Sequence, residues 1–87
     1  MSTQVRQFVI DGLRTMNYDV DDVTDETPLA EGGIELESLG FAELAMMVEE
    51  QYGVRFEDSE TEQMAEWTLG QFVAEVVGRA EPARIGG

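Results

Sequence analysis

Residues 32–56 read GGIELESLGFAELAMMVEEQYGVRF, and this stretch decides how the 87-residue chain folds. Two glycines open it, a short loop leads to Ser38, and apolar residues then recur at helical spacing as far as Tyr52. Gly53 follows, at the position where helices commonly end in the left-handed conformation. The stretch therefore predicts a helix over residues 38–52 that begins at Ser38.

A first helix is predicted upstream of this stretch, beginning near Ser2 or Thr3 and ending near Asn17 or Tyr18. Its apolar residues share the spacing of one helix face: Val5, Phe8, Val9, Leu13 and Met16. Residues 19–37 then form a long acidic loop, and loops of this length are often functional. Apolar residues within the loop are expected to hold it against the helices: Val20, Val23, Leu29, Ile34 and Leu36.

Two capping-box patterns mark the remaining helices. In each, a serine or threonine precedes a glutamate or glutamine by three residues. Ser59 with Glu62 predicts a short third helix, and Thr68 with Gln71 predicts a fourth. The fourth helix has the strongest apolar stripe of the chain: Leu69, Phe72, Val73, Val76 and Val77.

The fold class predicted from these elements is all-α, a small four-helix bundle with a short third helix and a long loop between helices 1 and 2. Gly78 and Pro82 are expected to end the fourth helix. Residues 1–80 would then form a single domain, followed by a flexible tail over residues 81–87.

The chain is strongly acidic, with 19 aspartates and glutamates against 5 basic residues and a net charge of −14. Such a surface repels the phosphates of nucleic acids and attracts basic protein surfaces. No apolar run approaches the ~20 residues of a membrane span. We therefore expect a cytoplasmic monomer whose partners are proteins with basic surfaces, with neither nucleic acid nor membrane among them.

Several kinds of site are excluded by residues that the chain lacks. Without cysteine or histidine there is no disulfide, no thiolate or imidazole metal site and no histidine base. A calcium-binding loop counted from Asp19 would need glycine and glutamate where Thr24 and Ala30 stand. Ser38 has no histidine or lysine to activate it as a nucleophile. We expect no metal site, no catalytic residue and no enzyme activity.

The second helix has two faces of different character. Residues that follow core spacing are Phe41, Leu44, Ala45, Val48 and Tyr52. The other face mixes apolar and acidic side chains: Leu39, Ala42, Glu43, Met46, Glu49 and Glu50. A mixed strip of this kind is typical of a helix that docks on partner proteins. A competing interpretation of Ser38 is that it serves only as the N-cap of the helix.

Glu37-Ser38-Leu39 resembles the Asp-Ser-Leu signature of acyl and peptidyl carrier proteins, the small phosphopantetheine-bearing proteins of fatty-acid, polyketide and nonribosomal-peptide synthesis. The resemblance extends over nearly the whole chain. It includes Gly32-Gly33 and Leu36 before the signature, Glu49-Glu50 and Tyr52-Gly53-Val54 after it, and Thr68-Leu69-Gly70-Gln71-Phe72. One departure is Glu37, because the family usually has aspartate there.

The resemblance implies that Ser38, between Glu37 and Leu39, carries a covalent 4′-phosphopantetheine. A separate magnesium-dependent phosphopantetheinyl transferase would supply this group from coenzyme A, and the arm would hold a biosynthetic intermediate as a thioester. Acyl- or aminoacyl-loading enzymes, a ketosynthase and tailoring enzymes would dock on the second helix. The docking residues implied are Leu39, Ala42, Glu43, Met46, Glu49 and Glu50.

The function expected is that of a free-standing acyl carrier protein in polyketide, fatty-acid or nonribosomal-peptide biosynthesis, antibiotic biosynthesis included. A peptidyl carrier protein is the alternative within the same family. An acidic helical adaptor that is never modified is the alternative outside it, and Ser38 would then be a plain cap. The sequence leaves the carried intermediate open.

Overall fold

In the computed structural model the chain folds into four α-helices joined by irregular segments. The structure describes residues 2–85, and the side chains of residues 3–57 and 59–80. The helices are α1 (Ser2–Thr15), α2 (Ser38–Tyr52), α3 (Asp58–Met64) and α4 (Leu69–Ile85). This architecture confirms the predicted all-α bundle, with its short third helix and its long connection between α1 and α2.

The core forms where α1 packs against both α2 and α4, and α3 packs against α2. The apolar stripes predicted on the helices face this core, whose fully buried side chains include Val9, Leu13, Leu44, Val48, Leu69, Phe72 and Val76. A Cβ at Gly12 would overlap Cε of Met47, so the end of the Met47 side chain occupies the space that this glycine leaves between α1 and α2. Among the described side chains no polar or charged residue is buried, so apolar burial accounts for the core.

The loop between α1 and α2 is fixed by backbone hydrogen bonds to the start of α4. The N–H of Leu29 donates to the Trp67 carbonyl at 3.0 Å, and the N–H of Leu69 donates to the Thr27 carbonyl at 2.8 Å. Four of the five apolar loop residues predicted to hold the loop are buried, and the fifth packs against the core: Val20, Leu29, Ile34, Leu36 and Val23. The loop therefore reaches α2 along a defined path.

Three predicted helix ends differ from the structure. α1 ends at Thr15, before Asn17 takes a left-handed φ of 72°. α3 begins at Asp58 with Glu57 as its N-cap, so the prediction of Ser59 as the capping residue is wrong. The reason is that Glu57 and Glu60 form the capping box, with the Glu57 N–H donating to Glu60 Oε1 at 3.0 Å.

The end of α4 was also misplaced by the sequence pattern. The helix continues past Gly78 and Pro82 to Ile85, although proline removes one backbone donor from a helix and usually disfavours its continuation. The division of the chain into a domain and a tail after residue 80 stays a prediction, and residues 86–87 lie outside the described part. No helix within residues 2–85 combines the length and apolar character needed to cross a bilayer.

Candidate functional site

Ser38 is the first helical residue of α2 rather than its N-cap. Glu37 holds the cap position in an extended conformation, with φ −94° and ψ 172°. The first helical hydrogen bond runs from the Phe41 N–H to the Glu37 carbonyl at 3.0 Å. The interpretation of Ser38 as an ordinary N-cap is therefore wrong, because the backbone at Ser38 has already entered the helix.

The hydroxyl of Ser38 is open to solvent. The residue is exposed, and its side chain makes no hydrogen bond to any residue in the described part of the chain. The Glu37 side chain likewise makes no capping hydrogen bond to the helix start. Backbone N–H groups in the first turn of a helix lack intrahelical partners, so α2 begins with exposed donors beside an available hydroxyl.

The loop before α2 determines the direction in which Ser38 points. The N–H groups of Ile34 and Leu36 donate to the carbonyls of Pro28 and Leu29, each at 2.9 Å. Both donor residues have buried side chains, whereas Glu35 between them is exposed. Burial of Leu36 anchors the chain immediately before the exposed Glu37 and Ser38.

This turn requires unusual backbone angles at two positions. Gly32 has φ 88° and Glu35 has φ 63°, and the second value is uncommon for a residue with a side chain. Gly32 adopts its positive φ without a steric cost because glycine has no Cβ. Gly33 is needed for a different reason, because a Cβ there would overlap the carbonyl oxygen of Pro28.

Gly40 sets the first turn of α2 against the rest of the fold. A Cβ at Gly40 would lie 2.7 Å from the Tyr18 hydroxyl oxygen and 3.0 Å from Leu36 Cδ2. A larger residue at this position would require the Tyr18 and Leu36 side chains to shift. Sequence reasoning missed this contact, although a glycine inside a predicted helix two residues after Ser38 was a signal for it.

A cleft of about 670 Å³ opens beside Ser38, between the start of α2 and α3. Its lining combines apolar and polar side chains: Ala30, Leu36, Glu37, Ser38, Phe41, Thr61, Glu62 and Ala65. The contribution of α3 to this cleft was not predicted from the sequence. The cleft gives a group attached to the Ser38 hydroxyl an apolar surface within reach, with carboxylates at its edge.

The predicted docking residues on α2 all lie on its exposed side: Leu39, Ala42, Glu43, Met46, Glu49 and Glu50. Leu39 is 71% exposed and Met46 is 57% exposed, and they are the two large hydrophobic residues that stand out from the described surface. Glu49 lies 3.6 Å from Arg55, whereas Glu43 and Glu50 have no ion pair among the described side chains. The structure thus places these residues together on one accessible surface, which we call the α2 strip.

Electrostatics around Ser38 are dominated by carboxylates. The four arginines with described side chains each lie within ion-pair distance of a carboxylate: Arg6, Arg14, Arg55 and Arg79. None of these ion pairs involves Glu35, Glu37 or Glu62. The surface near the hydroxyl is therefore acidic and suits a partner with a basic surface.

Comparison with known proteins gives one match. A family model described as "Phosphopantetheine attachment site" matches residues 13–76, which contain Ser38 and run from the end of α1 into α4. No curated protein and no solved structure shows significant similarity to the chain.

Proposed function

The chain belongs to the phosphopantetheine attachment-site family of carrier proteins, and on this basis we propose that Ser38 is the residue that bears the group. Members of this family hold 4′-phosphopantetheine covalently on a serine. The observation that carries the proposal is the exposed Ser38 hydroxyl, free of hydrogen bonds to the described residues, on the first residue of α2. Family membership supplies the cofactor, and the position of this hydroxyl selects the serine.

Other serines compete less well for this role. Ser2 begins α1 and lies outside the matched residues 13–76. Ser59 lies within α3, after a helix start already closed by the Glu57–Glu60 capping box. Ser38 stands at a helix start whose N-cap residue, Glu37, makes no side-chain hydrogen bond to the helix.

The helix start also suits a phosphodiester. Unpaired N–H groups and the positive end of the helix dipole together favour an anion near the first turn, typically by about 0.3–1 kcal/mol at an exposed site. A phosphate esterified to Ser38 Oγ would lie at this end of α2. The carboxylates of Glu35 and Glu37 would repel it, which gives a reason for a metal-dependent transferase in the attachment step.

The chain itself contributes an acceptor rather than a catalyst in this step. The Ser38 oxygen forms the new bond to the pantetheine phosphorus, the adenine nucleotide of coenzyme A leaves, and the serine proton passes to the transferase. The arm then supplies a thiol, which the cysteine-free chain lacks. A thioester on that thiol is the form in which a biosynthetic intermediate would be held.

Within the family, we propose an acyl carrier protein of polyketide, fatty-acid or nonribosomal-peptide type biosynthesis, with a peptidyl carrier protein as the alternative. Its partners would be a phosphopantetheinyl transferase and the enzymes that load, extend or modify the intermediate. The exposed Leu39 and Met46 support docking of such enzymes, because large apolar side chains on an acidic surface favour binding to a partner with an apolar and basic face.

Intact-mass measurement tests the assignment of Ser38. The protein is incubated with coenzyme A, magnesium and a broad-specificity phosphopantetheinyl transferase, and one phosphopantetheine adduct is expected. Ser38→Ala should remove the adduct completely, whereas Ser59→Ala, the matched control, should leave it unchanged. An adduct that persists in Ser38→Ala would overturn the assignment. No adduct on the unsubstituted chain would favour the unmodified adaptor.

A further inference from the structure

Arg79 of α4 makes the densest set of polar contacts in the described part of the molecule. Its Nη1 donates to the Arg55 carbonyl at 2.9 Å and to Glu60 Oε1 at 3.3 Å, and its Nη2 contacts Glu60 Oε2. Its Nε donates to Glu75 Oε1 at 3.2 Å. The guanidinium carbon also lies 4.4 Å from the centre of the Phe56 ring. One side chain thus connects α4 to the segment before α3 and to α3 itself.

The Arg79–Glu60 pair is shielded from water more than the other ion pairs between described side chains. Its side chains are 30% and 20% exposed, whereas those of the Arg55–Glu49 pair are 85% and 49% exposed. Exposed ion pairs contribute little to stability. A planar guanidinium that binds both oxygens of one carboxylate is the stronger arrangement.

Glu60 serves α3 and α4 at the same time. Its Oε1 accepts the N–H of Glu57 at 3.0 Å, which caps the start of α3, while both of its oxygens contact Arg79. The contact with Arg79 and the bond from the Glu57 N–H hold the pKa of Glu60 below its ordinary value of 4.5. The carboxylate is therefore ionised at neutral pH and fastens the first turn of α3 to α4.

α3 needs such an attachment because it is short. It has seven residues, and among its described side chains, those of residues 59–64, only Met64 is fully buried. Isolated helices of this length are not stable in water, so the position of α3 depends on its contacts. The Arg79 attachment lies near the start of α3, and the cleft beside Ser38 is lined by Thr61, Glu62 and Ala65 from the same segment.

We propose that Arg79 is a positioning residue for the cleft beside Ser38. It holds α3 through Glu60, and α3 forms one wall of that cleft. Loss of the attachment would let α3 move away from α2 and open the cleft, while α1, α2 and α4 keep their packing. The consequence for a carried group rests on the proposed function of Ser38, whereas the control of α3 does not.

Amide hydrogen exchange tests the control of α3. In Arg79→Gln, amides of residues 61–64 should exchange about tenfold faster, because the hydrogen bonds between the guanidinium and the charged Glu60 carboxylate are lost, and amides of α1 and α2 should keep their rates. Arg79→Lys should give an intermediate effect, since lysine keeps the charge but not the two-pronged geometry. Arg14→Gln is the control, because Arg14 makes only long contacts to the carboxylates of Asp11 and Asp21, at 3.9 and 3.8 Å.

A second variant separates positioning from general destabilisation. Glu60→Gln keeps an oxygen that can accept the Glu57 N–H but removes the charge that binds Arg79, so it should reproduce the faster exchange of α3. Unchanged exchange in α3, or an equal rise in all four helices, would overturn the proposal. These outcomes are read on the apo protein and decide the proposal whether or not Ser38 is modified.

Thioester stability tests the link to the cleft. The protein is modified with octanoyl-phosphopantetheine, and cleavage of the thioester by hydroxylamine is followed by intact mass. Cleavage should be severalfold faster in Arg79→Gln and Glu60→Gln than in the unsubstituted protein, and unchanged in Arg14→Gln. Equal rates in all four proteins, alongside faster exchange in α3, would overturn the role of Arg79 in shaping the cleft. Failure to acquire the arm at all would instead contradict the proposed function of Ser38.

Discussion

α2 and α4 begin in opposite ways. At the start of α4 the Thr68 N–H donates to Gln71 Oε1 at 2.9 Å, and the Gln71 N–H donates back to Thr68 Oγ1 at 3.2 Å. At the start of α2 the cap residue Glu37 makes no side-chain hydrogen bond to the helix, and Ser38 makes none within the described part. One helix start is closed by its own side chains, and the other is left open.

The start of α2 is less stabilised than that of α4, but its first turn is more accessible. A side-chain cap typically stabilises a helix by about 0.5–2 kcal/mol, and α2 forgoes this contribution. Its first-turn N–H groups lack intrahelical partners and could bind an anion, and the Ser38 hydroxyl stays exposed, as the proposed modification requires. The closed start of α4 instead holds the loop that leads to α2, through the Leu69 N–H bond to the Thr27 carbonyl.

The exposed faces of α2 and α4 also differ, because α2 exposes large apolar side chains and α4 buries its own. α2 carries both of the large hydrophobic residues that are exposed among the described side chains, Leu39 and Met46. α4 buries its main apolar residues, with Leu69, Phe72 and Val76 fully enclosed. α4 is therefore mainly a packing element, whereas α2 divides its surface between the core and the solvent.

The largest effect is expected when a charge is added to the exposed face of α2 rather than to that of α4. Met46→Asp adds a charge to the α2 strip and should slow phosphopantetheinylation of Ser38 severalfold, while the free energy of unfolding changes by less than about 0.5 kcal/mol, as is usual for surface substitutions. Ala74→Asp adds the same charge at an exposed position of α4 and should leave the rate unchanged. Initial rates by intact mass and urea unfolding are the measurements. Equal slowing by both substitutions would show that net charge matters and the α2 strip does not.

The contrast between closed and open starts makes a prediction about stability. Thr68→Ala should lower the free energy of unfolding by about 1 kcal/mol, because it removes a capping side chain, and should leave modification of Ser38 intact. Ser38→Ala should abolish the modification and leave the free energy of unfolding nearly unchanged. Urea denaturation of the two variants measures both. A loss from Ser38→Ala as large as that from Thr68→Ala would show that Ser38 supports the helix start after all.

Attachment of phosphopantetheine to Ser38 should partly stabilise the uncapped start of α2. The holo protein should exceed the apo protein in free energy of unfolding by about 0.3–1 kcal/mol at low ionic strength, since a phosphate esterified to Ser38 would lie at the positive end of α2. Added salt should reduce this gain because it screens exposed charges. Thermal or urea unfolding at two salt concentrations checks it. A gain that does not depend on salt would point to contacts of the arm rather than to the helix dipole.

The last prediction concerns α3, whose start is also closed by its own side chains. Because the folded pKa of Glu60 lies below its ordinary value of 4.5, the stabilising contact with Arg79 is present above that pH and is lost as pH falls through the lowered folded pKa. The stability difference between the unsubstituted protein and Glu60→Gln should therefore be constant from pH 7 to about pH 5.5 and shrink on further acidification. Urea unfolding at several pH values measures the difference. Growth of the difference on acidification would contradict the assignment.

Local signals explain which parts of the fold were predictable. The bounds of α2 follow from apolar spacing and from Gly53, which takes the left-handed φ of 72° expected at a helix end. The capping box of Thr68 and Gln71 was likewise predicted and is confirmed. Each of these features depends on residues a few positions apart, so the sequence pattern contains the necessary information.

The start of α3 shows why other parts were not predictable. Ser59 with Glu62 and Glu57 with Glu60 have the same spacing, and serine is preferred over glutamate as an N-cap residue. In the structure Glu57 and Glu60 form the capping box. Arg79, nineteen positions after Glu60, contacts the Glu60 carboxylate. Spacing within the segment contains no information about that distant arginine.

By itself, the sequence determined an acidic four-helix chain with a serine at the head of its second helix, because helix periodicity, helix ends and charge are properties of neighbouring residues. Only the tertiary structure decided that the Ser38 hydroxyl is exposed and makes no hydrogen bond to the described residues, that α3 lines a cleft beside it, and that Arg79 contacts Glu60 of α3. Exposure and contact depend on which distant residues the packed core brings together, and the order of residues along the chain does not specify these distances.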